Sequence, residues 1–268
     1  MRIAACQLST KANIDENIKQ TLAILDRAAA SGADVAVLPE YFDYMGDDEG
    51  ARASAQPVPG PLTDLISAKA REKNMWILAG SMRKKFPGEN RCGNTSLLFN
   101  RQGEITATYQ KLHLYDVDLP GRAVYKESDT VIPGDRITTT EIEGIKCGMS
   151  ICYDLRFPEL FRLQTLGGAR ILFIPAAFIL YTGRDHWEVL LRARAIENQC
   201  YVVAAGQVGT YMPGKACNGR SMIIDPWGTV LACAQDTVGL AIADLDFDYQ
   251  TKIREEMPAL LNRRKDIY

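Results

Sequence analysis

Residues 3–40 read IAACQLSTKANIDENIKQTLAILDRAAASGADVAVLPE. Ile3 to Leu8 is a short apolar run of β type. Asn13, with Glu16 three residues on, marks a capping-box helix start. Ile18, Leu22, Leu25 and Ala29 then recur at helical spacing, and Gly32 stops the helix. Val35 to Leu38 is apolar without interruption, as a strand buried on both faces requires. Pro39 ends that strand and Glu40 follows at once. Strand, helix and strand in this order predict a sheet with helices packed against it.

The pattern repeats along the chain. Gly46 to Pro59 reads as a loop, and Pro61 opens a second helix with Leu62, Leu65 and Ile66 inward. Met75 to Ala79 is another buried strand. Asn94 to Phe99 and Glu104 to Gln110 form a hairpin around Asn100-Arg101-Gln102-Gly103, which leaves Lys111 at a strand end. Residues 112–136 are punctuated by Pro and Gly without periodicity; so long a connection marks a functional segment or a misread one. Strands return at Ile137 to Ile142 and Ile145 to Cys152, joined by Glu143-Gly144. A helix over Pro158 to Leu166, a strand over Ile171 to Ile174 and a helix over Trp187 to Asn198 follow. Asp185 and Glu188 supply a capping box for the last of these. Tyr201 to Ala205, Ser221 to Ile224, Thr229 to Ala234 and Val238 to Asp244 complete the strands, with a turn at Asp225-Pro226-Trp227-Gly228. The two halves match in element order. That predicts two sheets packed face to face, an α-β-β-α sandwich. The expected fold class is α/β, one domain over residues 1–268 with a C-terminal tail from about residue 246.

Composition removes several functions. Lys and Arg number 31 against 33 Asp and Glu among 268 residues, and a formal charge of −2 argues against nucleic acid or a polybasic membrane contact. The hydrophobic share of 47% and charged share of 24% are those of an ordinary globular protein. The most apolar stretch, Ile171 to Leu180, is about half a membrane span and contains Pro175. No signal-peptide core is visible near Arg2 and Gln7. Seven cysteines form no Cys-x-x-Cys pair, so a reducing, cytoplasmic setting is expected. With only His113 and His186 present, a Cys/His zinc cluster is not. Gly209 to Lys215 imitates a phosphate-binding loop. Ala216 stands where Ser or Thr would hold Mg²⁺, and Pro213 interrupts the run, so a surface loop is expected.

Glu40, Lys111 and Cys152 stand at or just past strand ends, where ligand sites of open α/β sheets lie. Singly, each has a plain reading: a solvated loop residue for Glu or Lys, a small buried hydrophobe for Cys. Together they make chemical sense. A free thiol with a pKa near ~8.5 is mostly protonated at neutral pH, so a nucleophilic cysteine needs a base or a cation. Glu40 would accept the proton, and Lys111 would stabilise thiolate and then oxyanion.

Leu38-Pro39-Glu40 and Tyr109-Gln110-Lys111-Leu112-His113-Leu114 precede Gly148-Met149-Ser150-Ile151-Cys152-Tyr153-Asp154-Leu155-Arg156-Phe157-Pro158-Glu159. Pro175-Ala176-Ala177-Phe178, Thr182-Gly183, His186-Trp187, Arg192 to Asn198 and Asp225-Pro226-Trp227-Gly228 follow. In this order, and over essentially the whole chain, the set resembles the nitrilase superfamily of carbon–nitrogen hydrolases, specifically its amidase-like Nit branch. The resemblance implies the α-β-β-α sandwich and a Glu-Lys-Cys triad at Glu40, Lys111 and Cys152. It implies a second glutamate, Glu127, that orients Lys111 or tunes proton traffic; the alternative is a surface carboxylate. It implies no metal or organic cofactor. A homodimer or higher oligomer is also implied, with Met257 to Tyr268 as an interface or exchanged tail.

The chemistry so implied is acyl transfer in two steps. Cys152 attacks the amide carbon while Lys111 and the Tyr153 backbone N–H hold the oxyanion. Glu40 protonates the departing ammonia, then activates water against the thioester. Arg156, four residues past Cys152, is the candidate for a bidentate contact to a substrate carboxylate, the alternative being an ion pair with Glu159 or Asp154. Phe178 and Thr182 should reach the same rim, and His186 should pack or hydrogen-bond. The Cys-Tyr-Asp context resembles amide hydrolases, where true nitrilases usually carry Cys-Trp-Glu. The expected substrate is a small linear amide with a carboxylate at its far end, deaminated glutathione or the ω-amide of an α-keto acid. A nitrilase, an N-carbamoyl amide hydrolase and a non-catalytic assembly protein on the same fold are the rivals.

Overall fold

The computed structural model describes residues 1–119 and 123–267. Pro120 to Arg122, within the long segment read above, and Tyr268 at the end of the tail lie outside the described residues. One sheet runs Gly239–Asp244, Arg2–Gln7, Val35–Val37, Trp76–Lys85, Cys92–Phe99 and Ile105–Gln110, with Val131–Ile132 beside Cys92–Phe99. The other runs Val230–Cys233, Met222–Ile224, Tyr201–Gly206, Ile171–Ala176, Ile145–Met149 and Thr139–Ile142. Both are parallel at the centre, with Ile3 opposite Val35 and Val35 opposite Trp76 in one, Cys147 opposite Ile171 and Ile171 opposite Tyr201 in the other.

Strand alternation builds the layers, because successive side chains point to opposite faces. Ile3, Ala5, Val35, Val37, Leu78 and Leu98 share one core with Met149, Phe173 and Val203 of the second sheet. Their neighbours Ala4, Cys6, Ala36, Leu38, Ile77 and Ala79 share another core with Ile24, Leu25, Leu62 and Ile66 of helices Ile14–Ala30 and Pro61–Lys73. Helices Pro158–Leu166 and Leu180–Asn198 add Leu160, Phe161, Trp187 and Leu191 to the second sheet's core. The order of layers is the expected α-β-β-α.

Several local expectations are corrected. The helix read as starting near Trp187 begins at Leu180, so Asp185 and Glu188 lie exposed in its interior and cap nothing. Gly183 looks like a breaker, yet it is a contact. A Cβ there would stand 2.4 Å from the Asn218 Cβ, so the glycine lets this helix lie against the strand Lys215–Asn218. Leu65 is 45% exposed, because the buried stripe of its helix falls on Leu62, Thr63, Ile66 and Ala70. In the first helix Asn13 does accept from the Glu16 amide, but the stripe centres on Thr21, Ile24, Leu25 and Ala28. Gly46 to Pro59 contains a short helix, Asp48–Ala53, and the imitation phosphate loop is a hairpin of Val208–Met212 with Lys215–Asn218. The segment after Lys111 holds a ribbon of Asp116–Leu119 and Ala123–Lys126, then a 3-10 turn at Glu127–Asp129. The tail includes a helix, Phe247–Glu256, capped by Asp246 and anchored by buried Gln250 and Ile253. Among the described residues no helix is long and apolar enough to cross a membrane, and no His/Cys/Asp/Glu group could hold a metal.

Candidate active site

Two sharp turns bring the chemistry together. Just past strand Val35–Val37, Tyr41 adopts φ 54° directly after Glu40; just past strand Ile145–Met149, Cys152 adopts φ 49°. The second strand therefore stops short of Cys152, which opens a 3-10 helix, Cys152–Arg156, instead. A left-handed non-glycine residue costs about 1–2 kcal/mol, so each turn needs fastening. The Tyr41 amide donates to Ser81 Oγ at 3.1 Å, and its hydroxyl donates to Glu127 Oε1 at 3.0 Å. The Cys152 turn hangs on Asp154, which is fully buried. That carboxylate accepts from the Ile151 amide at 2.8 Å, the Tyr109 hydroxyl at 2.7 Å and the His113 amide at 3.0 Å. Its Oδ1 also lies 2.7 Å from His113 Nδ1, and the imidazole stacks on Phe157. Asp154 thus ties the strand end that carries Lys111 to the turn that carries Cys152.

Lys111 is 2% exposed and lies between two carboxylates. Its Nζ is 3.0 Å from Glu40 Oε1 and 2.9 Å from Glu127 Oε2. Asn94 Nδ2 bridges the same two acids, donating to Glu40 Oε1 at 2.8 Å and Glu127 Oε1 at 3.1 Å. The Ala177 amide donates to Glu40 Oε2 at 2.7 Å, and the Tyr115 amide to Glu127 Oε2 at 2.7 Å. Glu127 is 1% exposed, so it is no surface carboxylate. Burial disfavours the Lys111 cation, but Glu127 and Glu40 outweigh it and hold its pKa well above the ordinary lysine range. Burial likewise opposes ionised Glu127, yet Lys111 and the donors around it pull its pKa below the usual carboxylate value. For Cys152, burial and then the adjacent Glu40 push the thiol pKa well up, against the pull of Lys111. Burial and Glu40 thus favour the thiol form of Cys152 over the thiolate.

These groups open on a cavity of about 880 Å³. Cys152, Tyr153, Arg156, Phe178 and Thr182 all line it. Arg156 pairs with neither Glu159 nor Asp154. Its guanidinium sits 5.1 Å over the Phe178 ring and 5.8 Å over Tyr153, with Nη1 3.3 Å from Nδ1 of exposed His186. The Thr182 hydroxyl is buried and has no partner among the described residues. The Tyr153 amide stands in the first turn of the 3-10 helix, where no intrahelical acceptor is available. Asn94, Tyr41, Asp154 and the Ala177 amide were not singled out as site residues from the sequence. Asp154 did offer one signal, a carboxylate inside the motif that carries Cys152.

A carbon-nitrogen hydrolase family model matches residues 2–255. A deaminated glutathione amidase of Synechocystis sp. (strain PCC 6803 / GT-S) is 40% identical over 264 residues, 97% of this chain and 97% of that protein. An omega-amidase of Xenopus tropicalis is 34% identical over 267 residues, 100% of this chain and 96% of that protein. The crystal structure of the C. elegans NitFhit protein superposes with a TM-score of 0.95 at 37% identity, covering 100% of this chain and 66% of that longer one. With a family match over nearly its whole length, and with its layers in the expected order, the chain belongs to the carbon-nitrogen hydrolase family and is an enzyme of that class.

Proposed function

We propose that the protein hydrolyses a linear amide whose acyl chain carries a carboxylate, through a thioester on Cys152. One observation carries this reading: Lys111 Nζ shared by Glu40 and Glu127 beneath a cavity that also holds the Cys152 thiol. Glu40 takes the thiol proton as sulfur attacks the amide carbon, and the carbonyl oxygen becomes an oxyanion held by Lys111 and the Tyr153 amide. The C–N bond breaks as Glu40 returns the proton to the leaving nitrogen. Water then gives a proton to Glu40, its oxygen attacks the thioester, and the thiolate leaves and is reprotonated. Glu127 keeps Lys111 charged at the moment when Glu40 is neutral. Arg156, whose fork meets no carboxylate among the described residues, receives the acyl carboxylate; Phe178 flanks the chain and Thr182 offers a hydroxyl.

Deaminated glutathione is favoured over a short ω-amide, because about 880 Å³ lies toward the upper end of ordinary ligand pockets. Only the ω-amide would release ammonia; glutathione without its amino group has secondary amides alone and would release an amine. A panel of both, with neutral amides, carbamoyl amino acids and nitriles, tests the reading. Deaminated glutathione should show the highest kcat/KM, and best turnover of a nitrile or a neutral amide would contradict the assignment. The exposed apolar Met257, Leu261 and Ile267 support association through the C-terminal stretch as a homodimer or higher oligomer, to be measured by light scattering. Free cysteines, six of the seven buried, fit a reducing cytoplasm.

A further inference from the structure

Arg83 lies on strand Trp76–Lys85 and lines the same cavity as Cys152, although nothing in the chemistry above uses it. It is 8% exposed. Its Nη1 donates to the Tyr44 carbonyl at 3.0 Å, and its guanidinium lies over two rings, 3.9 Å from the centroid of Tyr41 and 5.9 Å from that of Tyr44. Its remaining N–H donors have no acceptor among the described residues. No carboxylate among them comes within ion-pair distance either. Asp43 is near enough to attract the cation but does not pair with it. An arginine so deeply buried is expensive without an anion to meet its fork. The cavity is where such an anion can arrive.

The position of Arg83 says which part of a substrate would bring it. A general acid must touch the leaving nitrogen, and that acid is Glu40. Tyr41, directly after Glu40, carries the ring on which Arg83 rests, and Arg83 pairs across the sheet with Asn94, the amide that bridges Glu40 and Glu127. Arg156 instead belongs to the turn of the nucleophile, on the opposite sheet, beside Phe178. A substituent on the leaving nitrogen therefore runs toward Arg83, and the acyl chain toward Arg156.

We propose that Arg83 is a specificity residue that receives a carboxylate carried by the leaving amine. The preferred substrate is then a secondary amide with an anionic group on each side of the scissile bond. This rests on the amidase reading above and extends it to the leaving group.

Three probes built on one α-keto diacid test it: its primary ω-amide, its ω-amide with glycine, and its ω-amide with glycinamide. The last two differ only in the charge at the tail. Wild-type kcat/KM should favour the glycine tail over the glycinamide tail by roughly 10–100-fold, the worth of a charge-assisted contact. Arg83→Gln should bring that ratio close to one, and Arg83→Lys should leave it in between. The ratio is taken within each protein, so a loss of folded enzyme cancels, and the wild-type ratio stands even if no variant folds. A wild-type ratio near one, or a ratio that survives Arg83→Gln, overturns the proposal while turnover of the primary amide keeps the amidase reading intact. If none of the three is hydrolysed, the amidase reading falls and this proposal with it.

Discussion

On the cavity floor, Lys111, Glu40 and Glu127 are each at most 2% exposed, and every charge has a partner from another segment. At the rim, Arg156 is half-buried and among the described residues meets only rings and His186, while the Thr182 hydroxyl has no partner among them. The floor is complete without substrate. Its groups are preorganised, so little reorganisation is needed when charge develops on the reacting oxygen. The rim is incomplete, and on the proposed reading a ligand supplies what it lacks. Substitutions on the floor should therefore cost both stability and turnover, and those at the rim turnover of charged substrates alone.

Lys111→Met gives the largest expected effect. It leaves two buried carboxylates facing each other, and losing one partner of a buried ion pair costs about 3–5 kcal/mol of stability. Denaturant unfolding should show that loss together with absent turnover. A fully stable, inactive variant would break the contrast, because the floor would then be catalytic without being structural.

Arg156→Lys keeps the charge and removes the fork, so kcat/KM for a carboxylate-bearing amide should fall by about 1.5–3 kcal/mol with unfolding unchanged. An equal fall for a neutral amide would move Arg156 from the rim to the floor.

The acid limb of stability sharpens the same division. Glu127 has a depressed pKa in the folded protein, so its contribution is full above the ordinary glutamate pKa of about 4.3. It is lost as pH falls through the lower folded value, with a slope of at most about 1.4 kcal/mol per pH unit. Glu127→Gln should flatten that limb in unfolding measured from neutral to acid pH. An unchanged limb would place the titration elsewhere.

The smallest effect is expected at Asp185→Ala, within about 0.5 kcal/mol, because that residue lies exposed inside a helix and caps nothing. Asn13→Ala, which removes an actual cap, should cost about 0.5–2 kcal/mol, both variants being measured by denaturant unfolding.

The contrast between Asn13 and Asp185 also marks what the sequence could disclose. A capping signal is local, and it holds where nothing distant competes. At Asp185 the helix is already under way from Leu180, with Gly183 lying close against Asn218, and no local pattern contains that contact. Glu40, Lys111 and Cys152 were legible because each follows a recognisable strand, and the family resemblance joined them. Asn94 was not, because its value lies in meeting two acids from distant segments. The Ala177 amide was not either, since a backbone donor has no side-chain signature. Asp154 stood in plain view within the nucleophile motif, but its donors from Tyr109 and His113 appear only once the two sheets meet.

The most direct test is to trap the acyl-enzyme. Turnover of a preferred amide is quenched in acid, and the digested protein is mapped by mass. The acyl mass should sit on the peptide carrying Cys152 and on no other, and Cys152→Ala should show none. An acyl mass on Cys217, which is buried beside Tyr41 and Met45, or on Cys147 in the core would contradict the assignment of the nucleophile.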